Sequence, residues 1–205
     1  KILNIWFFIN NHINILRREL IGIAKYNDVF CEADTFDVEE ARQILEAGKK
    51  YGLRPKIHAD EIEAIGGSIL AGEMGAISAE HLIVCPPEGI EALAKGGVIA
   101  CLLPATSFNL GATFAPARDM VNAGVPVAMA TDFNPGSCPS LNLQLAMSMG
   151  YIKYRMTPEE VEEEIADIYD EFNERKALRA DAFEAFQKIE AKQLVADEAL
   201  YREMR

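Results

Sequence analysis

From Asn27 to Ala130 short apolar runs alternate with amphipathic stretches, and the alternation predicts a series of strands and helices. Asp28 to Cys31 (DVFC) reads as a strand. Val38 to Tyr51 reads as a helix, with Asp37 as N-cap and Gly52 beyond its end. A second strand starts at Pro55 and runs to His58. Ile65 to Met74 is a Gly- and Ala-rich helix closed by Gly75. Ala79 to Val84 is a third strand, and Glu88 to Lys95 a short helix before Gly96 and Gly97. Val98 to Leu103 (VIACLL) is a fourth strand. Pro116 to Asn122 is a helix with Pro in its first turn, and Pro126 to Thr131 (PVAMAT) is a fifth strand.

Strands separated by helical patterns predict βα units and an α/β fold with a parallel sheet. The strand runs read as continuously apolar, which predicts strands covered on both faces, in a barrel or a doubly wound sheet. Five strands fall short of a complete eight-stranded barrel by about three. The character changes after Leu141. Leu141 to Tyr154 is apolar and Met-rich and predicts a helix. Thr157, Pro158 and Glu160 form a helix start with Thr157 as N-cap. Beyond it Ile165, Ile168, Phe172, Phe183, Phe186 and Ile189 recur at helical spacing, in a stretch without Gly. Three segments follow: an apolar N-terminal segment over 1–23, a βα portion over 24–156, and an all-helical C-terminal extension over 157–205.

The N-terminal run KILNIWFFI is like a signal-peptide core, but Asn10, Asn11 and His12 follow it where a small-residue cleavage site belongs. It is too short to span a bilayer as a helix. The chain opens on Lys1, which leads us to expect a segment of a longer protein.

Composition narrows the function classes. Half of the 205 residues are apolar and a quarter charged, as in a globular protein, and that apolar content excludes disorder as the overall state. Lys plus Arg number 20 against 32 Asp plus Glu, for a net charge of -12. Such a balance argues against a nucleic-acid backbone or an anionic membrane as the main partner. Cys31, Cys85, Cys101 and Cys138 are scattered without a CxxC pair, which predicts unpaired, mostly buried thiols in a reducing cytoplasm.

Two of the three His residues lie at strand ends: His58 in KIHADE and His81 in SAEHL. Asp132, in TDFNPGS, follows the fifth strand. In a parallel βα architecture functional side chains gather at the C-terminal ends of strands, because those ends open onto the βα loops. Two imidazoles and a carboxylate there suit a first-row metal such as zinc or iron. Each residue also has a plainer role open to it. Either His can be a hydrogen-bonded structural residue, and Asp132 can cap the segment that follows. Glu61, three residues after His58, is a candidate proton carrier or a helix N-terminal acid. Asn134-Pro135-Gly136 marks a turn in any case.

The string KIHADEIEAIGGSILAGEMGAISAEHL, together with VIACLLPATSFNL and PVAMATDFNPGS, resembles the imidazolonepropionase family of metal-dependent amidohydrolases. NDVFCEADTFDVEEARQILEAGKKYGL is similar to the family's segment just upstream. The resemblance runs roughly from Ala24 to Val161. It implies strands four to eight of a TIM-type (β/α) barrel. His58 would be a metal ligand at the fifth strand. Asp132 would be a ligand at the eighth and would accept a proton from the attacking water. His81, at the sixth, would contact that water or the substrate carbonyl. Glu61 would bind the imidazolone ring and shuttle protons. Asn134 and Gly136 would hold the product, and Ser137 the imidazolone end of the substrate. The implied reaction opens the ring amide of 4-imidazolone-5-propanoate to N-formimidoyl-L-glutamate, in histidine degradation, with one zinc or iron ion.

The chain departs from the family at both ends. The His-x-His pair that completes the metal site is missing; His12 stands alone in NNHINI. The substrate-clamping Arg and Tyr of the family's N-terminal half have no counterpart, nor has the Thr-x-Asn-Ala-Ala segment expected after Val161. This pattern implies either an incomplete enzyme or an inactive fragment, chimera or engineered half-barrel. An exposed parallel edge strand would invite pairing with a second copy into a homodimer, unless Trp6, Phe7 and Phe8 cover it.

Overall fold

The structure, a computed structural model, describes residues 24–157 and 160–161. The expected segments 1–23 and 162–205, with their helices and the edge-covering role of Trp6, Phe7 and Phe8, lie outside the described residues. Among those described, five strands form one parallel sheet in the order β1-β2-β3-β4-β5. They are β1 Tyr26–Cys31, β2 Arg54–Ala59, β3 Ser78–His81, β4 Ile99–Leu102 and β5 Val127–Met129. Between them lie α1 Val38–Lys49, α2 Gly67–Met74, α3 Pro87–Gly96, α4 Pro104–Leu110 and α5 Ala117–Asn122; α6 Leu143–Lys153 follows β5. Sequential parallel pairing, with the right-handed crossovers that βα units take, brings each helix back on the same face of the sheet, as in a barrel wall.

The local chemistry explains the helices. Asp37 caps α1 in a reciprocal box: its Oδ1 accepts from Glu40 N–H at 2.9 Å, and Glu40 Oε2 accepts from Asp37 N–H at 3.1 Å. Gly75, Gly97 and Gly111 end α2, α3 and α4 in the left-handed conformation. The start at Thr157 is formed as expected: Thr157 N–H donates to Glu160 Oε2 at 2.7 Å and Glu160 N–H to Thr157 Oγ1 at 3.3 Å. Helix α4 was not anticipated. PATSFNL has no helical apolar period, but Pro104 in its first turn and Gly111 at its end are the usual start and stop.

Two expectations need correction. Strands β1 to β3 do not carry the same kind of residue on both faces, whereas β4 and β5 are apolar throughout, as expected. Val29, Cys31, Ile57, Ala59, Ala79, Ala100, Leu102, Val127 and Met129 pack into one core with Ala41, Leu45, Leu70, Leu93 and Met120 of the helices. The alternate positions Asp28, Phe30, Lys56, His58 and Glu80 line the other face, which is mostly polar along β1 to β3 and apolar at Ile99, Cys101 and Ala128 of β4 and β5. Second, β3 ends at His81 rather than Val84. His81 and Leu82 have φ of 71° and 56°, and this left-handed pair turns the chain out of the sheet.

Candidate active site at the strand ends

Four expected residues converge at the C-terminal mouth of the sheet. His58 lies on β2, Glu61 in the loop after it, His81 ends β3, and Asp132 follows β5. The His58 and His81 rings are 5.4 Å apart, centroid to centroid. Glu61 Oε1 lies 3.5 Å from His81 Nδ1. Asp132 and His58 are near enough to shift each other's neighbours electrostatically: both act on Glu61 and on His81. Asp60, His81 and Asp132 all have positive φ, so the backbone bends sharply at the strand ends where these side chains emerge. Asp and His tolerate that region better than most residues.

Each group has a distinct electrostatic setting. Burial lowers the His81 pKa to about 4, helped by the neighbouring His58, so His81 is neutral near pH 7. For His58 burial also acts downward, but the hydrogen bond and charge of Asp28 outweigh it and the pKa rises. Burial, with the charge of Asp132, raises the Glu61 pKa and favours a proton on that carboxyl.

The TDFNPGS loop is knitted by Asn134. Its Oδ1 accepts from Gly136 N–H at 2.9 Å and Ser137 N–H at 2.7 Å, while its Nδ2 donates to the Asp132 carbonyl at 2.9 Å and Ser137 Oγ at 2.7 Å. Thr106 Oγ1 donates to Asp132 Oδ2 at 2.6 Å, and Ser137 Oγ lies 3.5 Å from the same oxygen. The turn read from Asn134-Pro135-Gly136 is therefore present, and it brings Ser137 to Asp132.

Sequence reasoning passed over several residues that build this mouth. Asp28 accepts from His58 Nδ1 through Oδ2 at 2.9 Å. Asp60, fully buried, accepts from Gly67 and Ser68 N–H, both at 3.2 Å, and so caps α2, whose N-cap Gly66 has no side chain to do so. Glu32, also buried, accepts from backbone N–H groups of the Glu61 loop. Thr106 holds Asp132 as above. The strand-end rule that singled out His58 and His81 applies equally to Glu32 and Asp60, which directly follow β1 and β2.

The donor chemistry fits a metal ion. Imidazole nitrogen and carboxylate oxygen are the donors zinc and iron take, and His81 Nδ1 is buried with no hydrogen-bond partner. Lower on the polar face, ligand atoms of Asp28, His58 and Glu80 all lie within 4.8 Å of one another. There Lys56 Nζ sits 2.8 Å from Glu80 Oε1, so an ammonium already supplies positive charge to that group.

No disulfide links the four cysteines; Cys31, Cys85 and Cys138 are buried. Among the described residues no helix is long and apolar enough to cross a membrane.

No family model matches the chain. Comparison with curated sequences does find relatives. The chain is 54% identical over 141 residues to imidazolonepropionase of Alkaliphilus metalliredigens and 56% identical over 139 residues to that of Geobacillus thermodenitrificans. Each match covers 68% of this chain and 33% of the relative, so the chain spans about a third of the length of the curated relatives it matches. Among solved structures, an amidohydrolase from a Sargasso Sea environmental sample matches with a TM-score of 0.56 at 19% identity, over 72% of this chain and 36% of that one. Atrazine chlorohydrolase from Arthrobacter aurescens, complexed with zinc and atraton, matches with a TM-score of 0.58 at 16% identity, over 77% of this chain and 39% of that one. The likeness in structure establishes the fold, a partial (β/α) barrel. By sequence the chain resembles imidazolonepropionase, an amidohydrolase, over about two thirds of its own length.

Proposed function

We propose that this chain carries the strand-four-to-eight share of an imidazolonepropionase active site, a cyclic amide hydrolase that opens the ring of 4-imidazolone-5-propanoate to N-formimidoyl-L-glutamate. The observation that supports this reading best is the meeting of His58, Glu61, His81 and Asp132 at one sheet mouth, within a stretch over half identical to imidazolonepropionases. His58 and Asp132 are the residues we assign to a zinc or iron ion. Bound there, such an ion would supply Lewis-acid polarisation of the ring carbonyl and a lowered water pKa.

This chain's own residues do the rest. Asp132, held by Thr106, takes a proton from the attacking water as its oxygen bonds to the ring carbonyl carbon. Glu61, with its raised pKa, is suited to hold a proton and pass it to the ring nitrogen as the carbon–nitrogen bond breaks. His81, neutral near pH 7, hydrogen-bonds the water or the carbonyl without adding charge. Asn134 and Gly136 take the product, and Ser137 the imidazolone end. The reading brings with it a small-molecule substrate and a cytoplasmic setting. It also brings a homodimer paired through β1 or β5, each of which has one strand neighbour among the described residues.

The test is loss of imidazolone absorbance on adding zinc- or iron-loaded protein to 4-imidazolone-5-propanoate. We expect turnover that Asp132→Asn abolishes. Decay no faster than in protein-free buffer overturns the reading and leaves an inactive barrel fragment, chimera or engineered scaffold.

A further inference from the structure

We infer that Glu32 is a positioning residue: its carboxylate clamps the loop after β2 and so sets Glu61 against His81. The chain between Ala59 and Gly67 has no regular secondary structure, so its N–H groups find no partners in a helix or strand. Glu32, 2% exposed, supplies them. Its Oε2 accepts from Glu61 N–H at 3.1 Å and Ile62 N–H at 2.9 Å. Its Oε1 accepts from Glu63 N–H at 3.0 Å and Ala33 N–H at 3.1 Å. Two donors converge on each oxygen, and bonds to an ionised acceptor are the stronger kind.

Glu32 is itself fixed. Its N–H donates to the Phe36 carbonyl at 3.0 Å, and its carbonyl accepts from Thr35 N–H at 3.0 Å and Thr35 Oγ1 at 3.2 Å. The end of β1 therefore grips the loop that leaves β2. Asp60 pins the same loop to α2 through Gly67 and Ser68. Between these two buried carboxylates Glu61 has little freedom, and its Oε1 is delivered 3.5 Å from His81 Nδ1.

An isosteric amide is the informative change. In Glu32→Gln the side-chain NH2 must face two N–H groups, whichever way the amide turns, so two of the four bonds are lost and become repulsive. The role given to Glu61 rests on the hydrolase reading, but the test needs no turnover. Amide hydrogen exchange and the His81 ring-nitrogen resonances are measured on the metal-free chain, for wild type, Glu32→Gln, Glu32→Asp and Glu61→Gln. We expect Glu32→Gln to speed exchange at Glu61, Ile62 and Glu63 by about tenfold or more, to leave Ile57 and Ala79 unchanged, and to move the His81 signals as Glu61→Gln does. Glu32→Asp, which keeps the charge at shorter reach, should fall between the two. Wild-type exchange at 61–63 in both Glu32 variants, or wild-type His81 signals beside a released loop, overturns the inference. So does equal loss of protection in the loop and in Ile57 and Ala79, which would make Glu32 a general stabiliser of the sheet.

Discussion

Oε1 of Glu61 and Nδ1 of His81 stand 3.5 Å apart, a separation beyond a well-formed hydrogen bond, although the imidazole is buried. A weakly paired buried imidazole resists protonation, and that makes the metal-free protein sensitive to mild acid. The folded pKa of His81 is about 4 against an ordinary 6.5. Between those values the unfolded chain binds the proton and the folded one does not, so stability is full above 6.5 and declines as pH falls toward 4. The loss is at most about 3 kcal/mol. Glu61, whose pKa is raised, tilts the opposite way just above its ordinary 4.5. Urea unfolding at pH 7 and pH 5, compared between wild type and His81→Asn, isolates the His81 share; equal pH dependence in the two proteins refutes it.

Metal affinity should depend on Asp28 as well as on the assigned ligands. The Asp28 carboxylate accepts a hydrogen bond from His58 Nδ1–H at 2.9 Å, a tautomer that leaves Nε2 with the lone pair a metal needs. His58→Ala should abolish zinc uptake in equilibrium dialysis, and Asp28→Asn should weaken it about tenfold or more. An Asp28→Asn protein that binds zinc as tightly as wild type would break the link.

The contact between α2 and α3 leaves no room for a methyl group at position 72. A Cβ on Gly72 would strike the backbone of Ala92, and one on Gly96 would come within 2.7 Å of the Gly72 carbonyl oxygen. Ala gains about 1 kcal/mol over Gly in a helix interior. Overpacking costs roughly 1–3 kcal/mol, and backbone atoms yield less readily than side chains. Gly72→Ala should therefore destabilise by up to about 2 kcal/mol, read as a lower urea midpoint. A midpoint above that of wild type would mean that the helices separate freely.

The thiols should differ in reactivity with their burial. Burial pushes the Cys31 and Cys85 pKa values up to about 12, with the charge of Asp60 adding to both. At pH 8 roughly one in ten thousand of either is thiolate, the form that alkylates. Both should resist iodoacetamide in the folded protein and react in denaturant, as mapped by peptide mass spectrometry. Rapid labelling of Cys85 in the folded chain would contradict the packing around it.

Much of the fold was legible because strand and helix periods differ and because glycines sit at helix ends. The cap at Asp37 and the start at Thr157 are visible in a few residues of sequence each. The mouth residues His58, His81 and Asp132 were legible from the rule that strand ends carry chemistry. Helix α4 was hidden because PATSFNL packs through Pro104, Ala105, Thr106 and Ser107 rather than through large apolar residues. The end of β3 was hidden because His81 and Leu82 turn left-handed within an apolar run. Asp28 and Glu32 were overlooked because their partners lie about thirty residues away, on the next strand and its loop. A short string shows only near neighbours.

The unlike faces of β2 act as a lock on its alignment. Sliding this strand by a single residue would thrust the Lys56 ammonium and the His58 imidazole beneath the helical layer, and would turn Ile57 and Ala59 outward. Both errors are penalised at once, so the His58 imidazole and the hydrophobic interior select the same pairing with Asp28.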